Sequence, residues 1–289
     1  MIKLLSEGNL KLYTKTIIRN YAISPRKSWG QNFVVDKDII DLLISEASFD
    51  QNDTVIEIGG GIGTLTYFLL QNCDNVISYE IDPLLSDIVL KEFQEYKSKL
   101  TVITGDFLEL KIPPHQKIVS NIPYNISSPF IKKITEIHHS PDIITITLQK
   151  EFADHLCAKP GETDYSRISV YSSYFYKFNT IKTFSSNSFY PRPKVSSNLV
   201  RGDRLNPPDC VNEERFSNFV TNIFCRKHKK AKNNLKIYTK HLPRSLQKTV
   251  IKEISKLEFA SIQPINLSPH QILDFYIKFF ELLTDFNVV

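Results

Sequence analysis

Cysteine is rare and scattered. Cys73, Cys157, Cys210 and Cys225 stand far apart and no two form a CxxC pair, which argues against a disulfide framework or a thiolate zinc site and for a reducing compartment. No apolar run approaches the roughly 20 residues that a membrane-crossing helix needs. The opening MIKLLSEGNLKLY has no signal-peptide core. A soluble, cytoplasmic chain with no membrane partner is therefore expected. Internal repeats and long low-complexity segments are also missing, and apolar residues make up 42 % of the chain, enough for a packed core rather than disorder. Acids are absent from 215–252, a stretch that carries eleven Lys and Arg. Residues 1–35 add a local +5, so within a net +5 the remainder stands at −11. Two basic segments flanking an acidic body point to a polyanionic partner, and nucleic acid is the obvious one.

Glycine is scarce too, nine residues in 289, yet four of the nine stand at 59, 60, 61 and 63. They follow the apolar, β-branched run Thr54–Ile58 and precede Thr64–Leu70, which reads as the opening of a helix. Strand, glycine turn and helix together build the ligand pocket of many α/β sheets, because glycine lets the backbone turn sharply and the helix start offers free N–H groups. The match to GxGxxG is imperfect, and such a turn can serve packing alone. Two acids separate this pocket from a dinucleotide site. Glu57 beside the turn would repel a pyrophosphate and attract a cationic amino-acid group. Glu80, within the run Val76–Ile81, stands where an acid could bind a ribose hydroxyl pair. S-adenosylmethionine carries a sulfonium, an ammonium and a ribose, and no phosphate. The acids fit that molecule better than NAD.

Along the chain, residues 1–25 lack clear periodicity and read as a basic arm. Asp36 caps an amphipathic helix through Ile39, Ile40, Leu43, Ile44 and Ala47. Strands at 54–58, 76–81, 100–104, 117–120 and 143–148 then alternate with helices at 64–72, 84–97 and 128–138. That order predicts an α/β fold, Rossmann-like, with a mostly parallel sheet. Helices at 151–157 and 167–175 and strands at 181–184 and 195–200 follow. Composition changes at Asn206-Pro207-Pro208, and beyond it helices at 213–224, 229–240, 245–257 and 269–283 make a small all-helical domain. The expected division is an arm over 1–25, a cofactor-binding domain over 26–205 and a docking domain over 206–289.

Asp106, after the strand 100–104, lies at the ligand edge of such a sheet and can accept a hydrogen bond from the cofactor's adenine amino group. A Gly-Asp turn alone would also explain it. Asn121-Ile122-Pro123-Tyr124, ending the strand 117–120, is the most specific signal. The exocyclic amine of adenine is a poor nucleophile because its lone pair is delocalised into the ring. The Asn121 side-chain oxygen and the Ile122 or Pro123 carbonyl can accept its two hydrogens and favour a pyramidal nitrogen. Proline fixes the carbonyl direction, and Tyr124 offers a ring for stacking. Positioning and placed dipoles then suffice, and the base must leave its stack.

The segments GQNF (30–33), EIGGGIGTLT (57–66), YEID (79–82), GD (105–106) and NIPYNISSP (121–129) together resemble the rRNA adenine N-methyltransferase family. LQKEFADHLCAKPG (148–161), DYSRISV (164–170) and FYPRPKVSSNLV (189–200) look like its KsgA-type dimethyladenosine transferases, in the archaeal and eukaryotic branch. The resemblance runs from about Lys27 to Val200. It implies a class I methyltransferase fold and N6,N6-dimethylation, with S-adenosylmethionine as cofactor, of two adjacent adenosines near the 3′ end of small-subunit rRNA. Gln31, Asn32 and Val34 would line the cofactor's entrance, Gly59 and Gly61 would lie under its methionine part, with Glu80 at the ribose and Asp106 at the adenine. Asn121 and Tyr124 would hold the target base, with Phe189 helping to sandwich it. The small ribosomal subunit is the implied partner of what is expected to be a monomer, and no metal is expected. Gly60, Trp29 and Ser196 depart from the pattern, where proline, an aliphatic and an acid are usual.

Three other readings compete. Large-subunit methyltransferases of the macrolide-resistance type share the GQNF-like and NIPYN-like segments, whereas QKEFA and PGETDYSR resemble the small-subunit branch. A non-catalytic assembly factor on the same fold would not need the intact Asn121–Tyr124 set, and an NAD enzyme is disfavoured by Glu57. His138-His139 offers too few ligands for a metal, and the Tyr and Phe stripes of 165–190 read as core.

Overall fold

The computed structural model describes residues 1–50, 52–136, 141–205 and 212–288. His138-His139 and Asn206-Pro207-Pro208 lie outside them. The chain divides into two units, Met1–Ala153 with Lys177–Arg204, and Asp154–Tyr176 with Leu205–Val289. A single cut near 205 is therefore incomplete, because the second unit also takes in 154–176.

In the first unit the strands are β1 (Phe33–Val34), β2 (Thr54–Ile58), β3 (Asn75–Glu80), β4 (Leu100–Thr104), β5 (Lys117–Asn121), β6 (Ile143–Gln149), β7 (Tyr176–Phe184), β8 (Phe189–Tyr190) and β9 (Ser197–Arg204). Seven of them form one sheet in the order β4-β3-β2-β5-β6-β9-β7. β2 through β6 pair in parallel, and β9 runs antiparallel to β6 from Ile143↔Asp203 to Gln149↔Ser197. Val55, Ile56, Ile118, Val119, Ile144 and Ile146 are wholly buried, as the central strands of a sheet covered on both faces must be. The helix Lys37–Ala47 is capped by Asp36, whose carboxylate accepts the Asp38 N–H at 3.1 Å, and Ile39, Ile40, Leu43 and Ala47 are buried.

Residues 1–25 are not an extended arm. They contain the helices Ile2–Ser6 and Leu10–Asn20, and Leu5, Leu10, Tyr13 and Ile17 join the buried core. The spacing Leu10, Tyr13, Thr14, Ile17 is helical, but Lys11 and Lys15 between them, and Arg19 after them, mask its apolar stripe. The Asn9 side chain caps this helix by accepting the Leu12 N–H.

The second unit is helical. Phe219 sits among the rings of Phe275, Tyr276, Phe279 and Phe280 at centroid separations of 5.5–6.2 Å. The segment 154–176 belongs here because Tyr165 packs edge-on against Phe224 and its hydroxyl donates to the Leu267 carbonyl at 3.0 Å. Lys227 adds two bonds, donating to the Thr163 and Tyr165 carbonyls at 2.6 and 3.0 Å. Among the described residues no helix is long and apolar enough to cross a membrane.

Candidate active site

The sheet changes direction of growth between β2 and β5, since β3 and β4 extend it on one side and β6 on the other. At such a switch point the loops leaving neighbouring strands part and open a crevice. β2 pairs with β3 along its whole length, whereas its pairing with β5 has only Val55↔Lys117 and Ile56↔Ile118 in register. Beyond these, the buried Ser120 hydroxyl bridges the two strands. It donates to the Ile58 carbonyl at 2.5 Å and accepts the Ile58 N–H at 3.3 Å. The Ile58 backbone at the end of β2 is thus tied to β5 through a side chain, beyond the last ladder pair.

A cleft holding about 950 Å³ of empty space opens there. Its wall includes Gln31, Asn32, Val34, Gly59, Gly61, Glu80, Asp106, Asn121 and Pro123, nine residues singled out from the sequence and spread over ninety positions. Glu80 is buried, yet each of its carboxylate oxygens is held. Oε2 accepts the Gly61 N–H at 2.7 Å and Oε1 the Asp82 N–H at 2.9 Å. Burial raises its pKa, and those backbone bonds oppose the rise. A carboxylate oxygen has more than one lone-pair site, so each oxygen keeps capacity toward the cleft. Gln31 is fixed at both ends, its oxygen accepting the Arg26 N–H at 2.6 Å and its amide donating to Asp82 at 3.1 Å. Asp106 closes a tight turn by accepting the Leu108 N–H at 2.9 Å. Lys133 pins the same loop by donating to the Leu108 and Leu110 carbonyls at 2.7 and 2.8 Å. Burial lowers the pKa of that lysine and nearby Asp106 works against the drop.

Glu57 lines the cleft as well, but one oxygen is turned inward. Oε2 accepts the Thr66 and Ser78 hydroxyls at 2.6 and 2.8 Å. Burial pushes its pKa up to about 7, those two hydrogen bonds pull it down, and the Glu80 charge adds to the rise.

Asn121 is fixed at both ends of its amide. Its Nδ2 donates to the Asn32 carbonyl at 2.9 Å and its Oδ1 accepts the Thr147 hydroxyl at 2.5 Å. Tyr124 is partly buried, and its hydroxyl meets that of Ser197 at 2.5 Å. Burial raises the tyrosine pKa while the Ser197 bond lowers it. Phe189, expected to help sandwich the base, is not among the cleft's described wall residues. It is 1 % exposed and part of the hydrophobic core. Antiparallel pairing of β8 with β1 sets Phe189 opposite Val34, and strand alternation then turns the next residue, Tyr190, outward at 42 % exposure.

Sequence reasoning missed several wall residues. Phe107 follows Asp106 directly, and Asn125 and Ile126 continue the Asn121–Tyr124 segment, so proximity to a motif was their signal. Thr147, which is buried behind Asn121 and is not a wall residue, had only the alternation of ITITL. Thr64 lines the cleft with a buried hydroxyl that has no hydrogen-bond partner among the described residues, a polar atom that suits a polar ligand. Among the described residues the wall holds three acids, Glu57, Glu80 and Asp106, and no Lys, Arg or His. That set repels phosphates and suits a cation with hydroxyl groups, as S-adenosylmethionine is.

Residues 23–268 match the family model for ribosomal RNA adenine dimethylase. The chain belongs to that family. A probable dimethyladenosine transferase of Dictyostelium discoideum is 38 % identical over 223 residues, covering 76 % of this chain and 70 % of that protein. A probable ribosomal RNA small subunit methyltransferase A of Methanopyrus kandleri is 31 % identical over 271 residues, covering 91 % of this chain and 95 % of that protein. The crystal structure of a dimethyladenosine transferase from Plasmodium falciparum superposes with a TM-score of 0.78 at 27 % identity, over 86 % of this chain and 98 % of that one. The dimethylase's fold is that of the class I methyltransferases that use S-adenosylmethionine.

Proposed function

We propose that the protein dimethylates N6 of adenosines in small-subunit rRNA, two adjacent ones near the 3′ end, using S-adenosylmethionine during ribosome biogenesis. One observation carries this reading. A phosphate-repelling cleft with three acids and, among the described residues, no cation shares its wall with Asn121 and Pro123 of the Asn-Ile-Pro-Tyr segment, in a member of the adenine dimethylase family.

Within it, Glu80 would bind the ribose hydroxyls and Asp106 the adenine amino group. Gly59 and Gly61 would lie under the methionine part, with Gln31, Asn32 and Val34 at the entrance. The bound cofactor supplies an electrophilic methyl on a sulfonium. Asn121 Oδ1 and the Pro123 or Ile122 carbonyl would accept the two hydrogens of the target amine and hold its lone pair outside the ring plane. Tyr124 would stack on the base. Catalysis is then largely placement, with no strong base demanded of the protein.

The basic run of the second unit supports an RNA partner. Arg226, Lys229, Lys230, Lys236, Lys240 and Arg244 are exposed there, and phosphate contacts of this type position a protein on RNA without reading its sequence. The protein would work as a cytoplasmic monomer on the small ribosomal subunit. Methyl transfer from labelled S-adenosylmethionine to small subunits lacking adenine dimethylation and to large subunits, run in parallel, tests the assignment. Label in small-subunit rRNA supports it, and label confined to the large subunit or absent from both overturns it.

A further inference from the structure

Asn121 has a partner that none of its motif neighbours supplies. β5 and β6 are parallel neighbours, and Asn121 stands in register with Thr147. Thr147 is wholly buried, and its hydroxyl donates to Asn121 Oδ1 at 2.5 Å. The assignment of the amide follows from its other end. The Asn32 carbonyl can only accept, so Nδ2 must face it at 2.9 Å, Oδ1 must face Thr147, and the threonine must donate.

An asparagine χ2 has a broad, roughly two-fold energy profile, so an amide held at one end only can swing or invert. Inverted, Asn121 would point N–H groups at the N–H groups of an adenine amine. The Asn32 carbonyl opposes inversion, since it would then face Oδ1, while the Thr147 hydroxyl donates to one lone pair of Oδ1 and holds the amide against swinging, and the side-chain carbonyl keeps its second lone pair for the target. Donation into the carbonyl also strengthens the Nδ2–H bond to Asn32, since chained hydrogen bonds polarise one another.

Resting on the function proposed above, we infer that Thr147 is a positioning residue for methyl transfer, holding Asn121 so that its oxygen faces the target amine. The same strand provides an internal control. Thr145 lies two residues earlier on the same face, also wholly buried, and its hydroxyl has no hydrogen-bond partner among the described residues. Burial of a threonine in this strand therefore does not of itself call for a hydroxyl contact.

The test compares Thr147→Val, Thr147→Ser and Thr145→Val, the valines being near-isosteric. Steady-state methylation of small subunits, calorimetric binding of S-adenosylmethionine and thermal melting are measured for each. For Thr147→Val, kcat falls about tenfold, the worth of one oriented hydrogen bond, while KM for the subunit and cofactor affinity stay within about twofold. Thr147→Ser restores kcat, and Thr145→Val leaves it unchanged. An undiminished kcat in Thr147→Val overturns the inference. So does a loss that Thr145→Val shares in proportion to its lowered melting temperature, or one that serine does not repair.

A wild-type protein that methylates nothing would sink the functional proposal, and the side-chain amide resonances of Asn121 then decide the positioning. Two resolved, slowly exchanging protons in wild type that average or shift strongly in Thr147→Val support it. Identical spectra overturn it.

Discussion

Gly59 and Pro123 meet so closely that a Cβ on the glycine would lie 3.1 Å from the proline Cγ and 3.2 Å from its Cδ. The turn after β2 and the segment after β5 are thus one packed unit. Gly59 also has φ +76°, a left-handed conformation that is unfavourable for other residues. Gly59→Ala should therefore disturb both halves of the site, because relief of the contact must move Pro123 or the turn. We expect cofactor affinity and methyl transfer each to fall at least about tenfold, with about 1–2 kcal/mol of stability lost. Calorimetry and urea denaturation of the variant check this. A variant that keeps wild-type affinity would show that the two segments move independently.

Gly60 and Ser78 explain a departure from the family pattern. A Cβ on Gly60 would overlap the Ser78 hydroxyl, which is engaged with Glu57. A proline or alanine at 60 therefore requires a different residue, or a different rotamer, at 78. Gly60→Ala should cost about 2 kcal/mol, as overpacking does, and Ser78→Ala about 1 kcal/mol. In the double variant the clash is gone, so its loss should fall short of the sum by about 1 kcal/mol or more. A double-mutant cycle measured by chemical denaturation gives the coupling directly, and strict additivity would refute the steric account.

Glu57 should give the protein a pH-dependent stability. Its pKa is raised from 4.5 to about 7, mainly by burial. The folded state therefore holds this proton across a range in which the unfolded chain has released it. Its contribution is fully present below about pH 4.5 and is lost as pH rises to about 7, a change on the order of 3 kcal/mol. Glu57→Gln removes that slope and becomes the more stable form relative to wild type near pH 8. Denaturation of both proteins at pH 5, 6, 7 and 8 compares the slopes, and parallel curves would contradict the burial argument.

The amino-terminal segment should be indispensable to the first unit. The Tyr13 hydroxyl donates to the Ile62 carbonyl, inside the glycine turn, at 2.7 Å, and burial raises its pKa. Tyr13→Phe leaves that carbonyl unpaired and should cost about 1–3 kcal/mol. Removing residues 1–20 also exposes the surface that Leu5, Leu10 and Ile17 cover, a loss of at least about 6 kcal/mol at ordinary burial energies. A truncated protein that melts like the full chain would show that the helices are accessory.

What could be read in advance was set by local chemistry. β2 spans Thr54–Ile58 and its helix Thr64–Asn72, as expected, because an apolar run, a glycine turn and a helix start each announce themselves within a few residues. Asp36 as a cap was legible for the same reason. The helix Leu10–Asn20 was not, since its apolar positions are diluted by basic ones, and only packing against distant residues makes the stripe count. Segment 154–176 joined the second unit through Tyr165 and Leu267, a pairing a hundred residues apart. In the site, motif residues converge on one cleft, yet Thr147 is tied to Asn121 only by sheet register. Phe189 shows the reverse. Its chemistry invited a stacking role, and the β1–β8 pairing buried it.

The most direct measurement uses small ribosomal subunits lacking adenine dimethylation, incubated with S-adenosylmethionine and either wild-type protein or Asn121→Ala. The rRNA is digested to nucleosides and analysed by mass spectrometry, and calorimetry verifies that the variant is folded and still binds cofactor. N6,N6-dimethyladenosine should accumulate with wild type and fall by at least about 100-fold with the variant, the scale expected when a group that orients the reacting atom is lost. No methylated adenosine with wild type, or equal yields from the two proteins, would contradict the account.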